Sequence, residues 1–243
     1  MKKKILTLIL MITAILTLSG CSDEVNTSTM TAHTSVYPVE FVLDSLYGEN
    51  IAIQGIYPDD INYKTYKLTD YQLSDISKSD LFIYAGIIPK EKDYAVKLIN
   101  KNKKIKLIDA SLGMSYTNDV AETWLNPSHY LMLASNIKTG LEEYISENIE
   151  LKKIEKNYNT LKLNLTKIDA ELKMIGSNSV NNTLIVSNDT FKFLEKYGFT
   201  IISLEQNENL TDKVIAEAKK LLADKKANYI FLKDNEEESE LIK

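Results

Sequence analysis

Few side chains in this sequence could do covalent or metal chemistry. There is one cysteine, Cys21, and there are two histidines, His33 and His129. Transition metals need imidazole, thiolate or carboxylate groups supplied together by a closed site. His33 falls in the first expected strand, and His129 lies two residues past Pro127, early in an expected helix. Each is read as a structural or solvent-facing residue rather than a ligand. No HExxH pair, Gly-rich phosphate loop or Ser/His/Asp order is present, so no enzymatic activity is expected. Asp59, Asp60 and the acidic run EEESE near the C-terminus read as solvated loops. The 14 tyrosines are scattered and form no obvious base-stacking platform.

Cys21 is the residue with the clearest chemistry. The chain opens MKKKILTLILMITAILTLSGCSDE, with three lysines, an apolar run from Ile5 to Leu18, and small residues before the cysteine. The run is too short to span a bilayer stably, and the pattern is that of an export signal. Leu18-Ser19-Gly20-Cys21 resembles the bacterial lipobox, which implies cleavage after residue 20 and acylation of the Cys21 thiol. Residues 1–20 are therefore expected to be a signal peptide, and residues 21–30 a polar tether from a lipid in the outer face of the cell membrane. With no other cysteine there is no disulfide, and stability must come from the core. The formal net charge of −5 becomes more negative once Lys2, Lys3 and Lys4 are removed. That excludes nucleic acid and charge-driven lipid adhesion as partners.

The elements that would position a site alternate in type. A short strand at the start is followed by a helix from about Val39 to Leu46 and a strand around Ile51 to Ile56. Leu73 and Ile76 share a helix face, and Leu81 to Tyr84 and Ile105 to Ile108 read as buried strands. Strands alternating with helices indicate a parallel sheet covered on both faces. From Ile149 the pattern changes. Ile154, Tyr158, Leu161, Leu165, Ile168, Leu172 and Ile175 make one stripe along a helix of about 25 residues that ends at Gly176 to Asn182. Beyond it, NTLIVSN, FTIISL and NYIFLK read as strands, with DTFKFLEKYG and TDKVIAEAKKLLADKKA as helices. The expected fold is α/β: an N-terminal lobe over residues 31–148, a connecting helix over 149–176, and a short, incomplete C-terminal lobe over 177–243.

Four stretches carry a family resemblance: TSVYP after the first strand, the segment from Gly48 to Gly86, WLNP with its following helix, and VSNDTFKFLEKYGF. The chain resembles the ABC-transporter solute-binding lipoproteins that capture zinc or manganese. The resemblance implies two βα lobes with parallel sheets, joined by one long helix in a metal-type periplasmic-binding-protein-like fold. It further implies a monomer that delivers its cargo to an ABC permease subunit in the membrane. At the positions of the family's ligands, however, this chain has Lys64, Glu122 and Asn188, and the segment carrying a fourth ligand has no counterpart. A protonated lysine donates and cannot ligate, and its charge repels a cation. No metal ligand is therefore assigned, and zinc or manganese is implied by resemblance alone. In the family geometry Lys64 and Glu122 would face each other. Two arrangements fit, an ion pair in the place of the metal or two side chains in solvent. Trp124 and Leu125 are expected to pack their loop into the N-terminal lobe while position 122 varies freely. Two functions follow: metal-ion transport as the binding component, or a metal-free surface lipoprotein that binds a partner, adheres, or takes a small organic solute.

Overall fold

The computed structural model describes residues 29–59, 61–63, 65–117 and 120–233. The signal segment, Cys21, most of the tether and Lys64 lie outside the described residues, so the lipobox and the Lys64–Glu122 pair do too. Among the described residues no helix is long and apolar enough to cross a membrane.

The N-terminal lobe is built on a four-stranded parallel sheet in the order β2-β1-β3-β4, with β1 Met30–Thr34, β2 Ile51–Gly55, β3 Leu81–Tyr84 and β4 Lys106–Asp109. β3 sits inside the sheet, and its Leu-Phe-Ile-Tyr sequence is apolar on both faces as that position requires. Leu81 and Ile83 enter one core cluster and Phe82 enters the other, on the opposite face.

Helix α1, Tyr37–Tyr47, starts with Pro38 in its first turn, where a missing N–H costs nothing. Its Val39, Val42, Leu43 and Leu46 recur at helical spacing and are fully buried. Burying each is worth roughly 1.5–3 kcal/mol relative to exposure. α2, Asp70–Ile76, begins with a reciprocal capping box between Thr69 and Gln72. Together with α3, Pro89–Lys101, it closes the second face through Leu73, Ile76, Tyr94 and Leu98.

A single turn of helix, α4 Glu122–Leu125, leads into α5 Pro127–Tyr144, which Asn126 caps by accepting from Ser128 N. The connecting helix, α6 Asn148–Asn178, has 31 residues and is longer than expected. It ends two residues past Gly176, inside the Gly176 to Asn182 segment where its end was expected. Gly176 is buried against the Tyr197 carbonyl, where a Cβ would overlap that oxygen, so its role is close approach and not helix termination. The apolar stripe is only half used. Ile154, Leu161 and Leu165 are buried against the N-terminal lobe, whereas Ile168 and Ile175 are largely exposed.

The C-terminal lobe has a three-stranded parallel sheet in the order β6-β5-β7, from β5 Thr183–Val186, β6 Thr200–Ser203 and β7 Ile230–Phe231. The segment Asp189–Tyr197, expected as an ordinary helix, is a 3₁₀ helix closed by Gly198 at φ 91°. α7, Asp212–Ala223, covers one face, and the lobe's core is small: Ile185, Ile202, Leu204, Ala218 and Ala227.

Candidate functional site

The ends of β1, β2 and β3 gather the polar groups of the N-terminal lobe. Ser35, directly after β1, donates its N–H to Ile83 O at 3.1 Å and accepts from Ala85 N at 2.9 Å. Beside it lies Glu91, in the first turn of α3 and completely buried. Its carboxylate accepts from Gly86 N at 3.2 Å, from the Tyr57 hydroxyl at 3.4 Å, and from the Ser35 hydroxyl. Burial still outweighs these bonds and pushes the Glu91 carboxyl up to about 7. Burial and the neighbouring Glu91 together raise the Tyr57 phenol well above its ordinary range.

The two described family positions sit on segments that pack together. α4, which carries Glu122, contacts the 3₁₀ helix Asp189–Tyr197, and Asn188 is the N-cap of that 3₁₀ helix. Glu122 is buried and does not reach into solvent: its Oε2 accepts from Thr117 N at 3.2 Å, and its Oε1 lies 3.8 Å from His129 Nδ1. The residue is thus engaged by the backbone of its own loop. His129, read from the sequence as having no site role, is Glu122's close neighbour. The distance is too long for a hydrogen bond and makes a charge pair only when the imidazole is protonated. Asn188 spends its Oδ1 on Thr190 N at 3.0 Å. Trp124 packs against the main core as expected, but Leu125 does not, being 41% exposed.

Chemically this set is poor for a transition metal. It offers one carboxylate, one imidazole and an amide engaged as a helix cap. Among the described residues no three His, Cys, Asp or Glu side chains converge on a point where an ion could sit.

Two features escape sequence reasoning. Lys196, from the 3₁₀ helix, reaches back to the N-terminal lobe and donates to Asn126 Oδ1 at 2.7 Å and Ser128 Oγ at 2.6 Å. It also lies 3.5 Å from Asp169 of α6. The second feature is a cavity of 410 Å³ at the ends of β1 and β2, lined among others by Tyr37, Glu40, Tyr57, Asp59, Tyr63 and Trp124. The signal for it was a repeated Tyr-Pro, at Tyr37-Pro38 and Tyr57-Pro58, one pair after each strand.

Two parallel-sheet lobes bridged by one long helix define a two-lobed α/β binding protein. Solved structures share this fold. The metal-dependent lipoprotein YcdH from Bacillus subtilis is 15% identical, with 84% of this chain and 79% of that one covered at a TM-score of 0.70. The zinc-bound ZnuA-like domain of Streptococcus pneumoniae AdcA is 18% identical, with 88% and 81% covered at 0.69. The laminin-binding protein Lbp of Streptococcus pyogenes is 18% identical, with 86% and 80% covered at 0.64. No curated protein sequence matches significantly. The family model for the periplasmic component A of the zinc-uptake complex matches residues 33–243, and the chain belongs to that family.

Proposed function

We propose that this protein is the exported, solute-binding component of an ABC transporter, anchored through Cys21 to the outer face of the membrane, whose cargo is not held by the family's metal ligands. The family match over residues 33–243 supports transport through a permease. The observation that carries the second part is the state of the ligand positions: Glu122 is buried and bonded to its own loop, Asn188 caps a 3₁₀ helix, and position 64 is a lysine. A site rebuilt for zinc or manganese would have to break each of these arrangements or bring cation repulsion with it.

The anchoring is tested by growing cells with a labelled fatty acid. The protein takes up the label, and Cys21→Ser abolishes it; equal labelling of the variant overturns the lipid anchor. Transport is tested by deleting the gene and measuring uptake. A defect in uptake of a small solute with normal zinc and manganese uptake supports the reading. Normal uptake of everything tested, with loss of adherence to a host surface, would favour an adhesive role, as the name of the laminin-binding structural relative suggests for that protein.

A further inference from the structure

We propose that the cavity between Tyr37, Tyr57, Tyr63 and Trp124 binds a small organic ammonium ion, a primary or quaternary amine carried on a compact body. This deepens the transport reading and rests on it for its biological sense, but the binding itself is a property of the chain alone.

The argument begins with position. The residues after β1 and after β2 line the cavity, at the carboxyl ends of parallel strands. Open α/β sheets bind their ligands at those ends. The volume of 410 Å³ matches a small organic molecule and is far larger than a bare ion needs.

The lining then selects the ligand's charge. Two carboxylates, Glu40 and Asp59, border the cavity, and among the described lining residues there is no lysine, arginine or histidine. In sequence the same segment also carries Asp60 and Lys64, one charge of each sign, so the balance around the cavity stays acidic and disfavours an anion. Aromatic rings attract weakly hydrated organic cations through their negative faces, and several rings around one cation add their attractions. A strongly hydrated divalent ion gains little from such walls and would need a set of oxygen or nitrogen donors instead. Aromatic walls with carboxylates at the border therefore suit an alkylammonium group better than a metal.

The walls are also held in place before any ligand arrives. Tyr57 is tied through its hydroxyl to the buried Glu91 at 3.4 Å. The backbone after Tyr37 is fixed by the Tyr130 hydroxyl, which donates to Pro38 O at 2.8 Å. Ile56 N donates to Thr34 O at 2.8 Å and joins the two strand ends. Glu40 is steadied by the Thr34 hydroxyl at 3.4 Å. Preorganised walls spare the ligand the cost of ordering them.

Trp124 is the only tryptophan of the chain and lines the cavity, so its fluorescence reports occupancy directly. The purified protein is titrated with choline and with tetramethylammonium, and in parallel with 3,3-dimethylbutan-1-ol, the neutral isostere of choline, and with zinc chloride. The expected result is a saturable change with the ammonium ions and none with the alcohol or zinc. Glu40→Gln with Asp59→Asn weakens choline binding by about tenfold or more, as does Tyr37→Ala, whose side chain is largely exposed and whose loss spares the core. Unchanged far-ultraviolet circular dichroism of both variants keeps the comparison fair. No saturable change with either ammonium ion overturns the proposal, as does equal binding of the neutral alcohol, which would make the cavity an apolar site. If choline binds but deletion of the gene leaves ammonium uptake intact, the site stands and the transport reading falls. If choline does not bind but deletion abolishes uptake of another solute, transport stands and this site falls.

Discussion

Lys196 Nζ lies 2.7 Å from Asn126 Oδ1 and so joins the C-terminal lobe to the residue that caps α5 of the N-terminal lobe. The same ammonium donates to Ser128 Oγ at 2.6 Å, and it sits 4.7 Å above the ring of its neighbour Tyr197. The Tyr197 hydroxyl in turn donates to Asp169 on the connecting helix at 2.6 Å. One cation thus spans three parts of the fold: the 3₁₀ helix, the α5 cap and α6. In a two-lobed binding protein such a contact sets how readily the lobes part.

Lys196→Met keeps the stem and removes the donors. Because the lysine is about a third exposed, its ion pair with Asp169 is screened, and the loss of global stability stays at about 1 kcal/mol or less. The larger effect falls on the relative motion of the lobes. Amide exchange near the start of α5 accelerates, and small-angle scattering gives a larger radius of gyration. Scattering curves that superimpose for the two proteins would show that Lys196 does not restrain the lobes.

The buried Glu91 makes a pH prediction with a definite sign. Its carboxyl is raised from the ordinary 4.5 to about 7, so between those values the folded chain binds a proton that the unfolded chain has released. Stability from this group is full below about pH 4.5, falls as pH rises, and is lost above about 7. The fall amounts to about 3 kcal/mol across the window. Glu91→Gln removes the titration. Urea unfolding at pH 5 and at pH 8 should therefore show a smaller loss on raising the pH in the variant than in the parent. Equal losses in both would mean that Glu91 is ionised throughout.

Gly176→Ala tests the joint between the rod and the C-terminal lobe. In a free helix the change helps by about 1 kcal/mol. Here the new methyl overlaps the Tyr197 carbonyl oxygen and comes 3.2 Å from the Phe199 ring. A backbone carbonyl cannot swing away as a side-chain tip can, so overpacking wins and the net cost is about 2 kcal/mol. The measurement is a denaturant midpoint for Gly176→Ala beside that of the parent. A stabilised variant would mean that the helix and Tyr197 are further apart in solution.

What the sequence shows of this fold depends on how local the cause is. The Leu81–Tyr84 strand could be read directly, because a four-residue apolar run has few homes other than inside a sheet. The strands Thr183–Val186 and Thr200–Ser203 followed for the same reason. The end of the connecting helix was legible to within the Gly176 to Asn182 segment, but the reason for Gly176 was not, because it lies in the contact with Tyr197, twenty-one positions on. The outer half of the apolar stripe misled for a related reason: periodicity marks a face but not whether anything covers it, and Ile168 and Ile175 are largely exposed. At the site, Glu122 was expected either paired with Lys64 or in solvent, and its bond to the backbone N–H of Thr117 was missed because a backbone partner carries no side-chain signal. Lys196 lies in a run, EKYG, that resembles a solvated helix face, and its partners are some seventy residues earlier. The identities at positions 64, 122 and 188 were legible; the bonds that occupy Glu122 and Asn188 were not.

Those bonds give the metal experiment its expected outcome. A closed site that binds zinc a thousandfold tighter than the free concentration would stabilise the fold by about 4 kcal/mol. With Glu122 engaged by Thr117 N, Asn188 engaged by Thr190 N, and a lysine at position 64, adding zinc or manganese to the purified protein should leave the melting temperature unchanged. Glu122→His alone should also fail: it sets a second imidazole beside His129, but two donors leave the site open, and position 64 of the sequence still supplies an ammonium in place of a ligand. Lys64→His combined with Glu122→His restores imidazoles at two positions where the family resemblance implies ligands, and His129, 3.8 Å from Glu122, offers a third. This double variant should show a zinc-dependent rise in melting temperature that a chelator reverses. A large zinc-dependent rise in the unmodified protein, lost in Glu122→Ala, would mean that Glu122 leaves Thr117 to ligate and that the metal is the cargo after all.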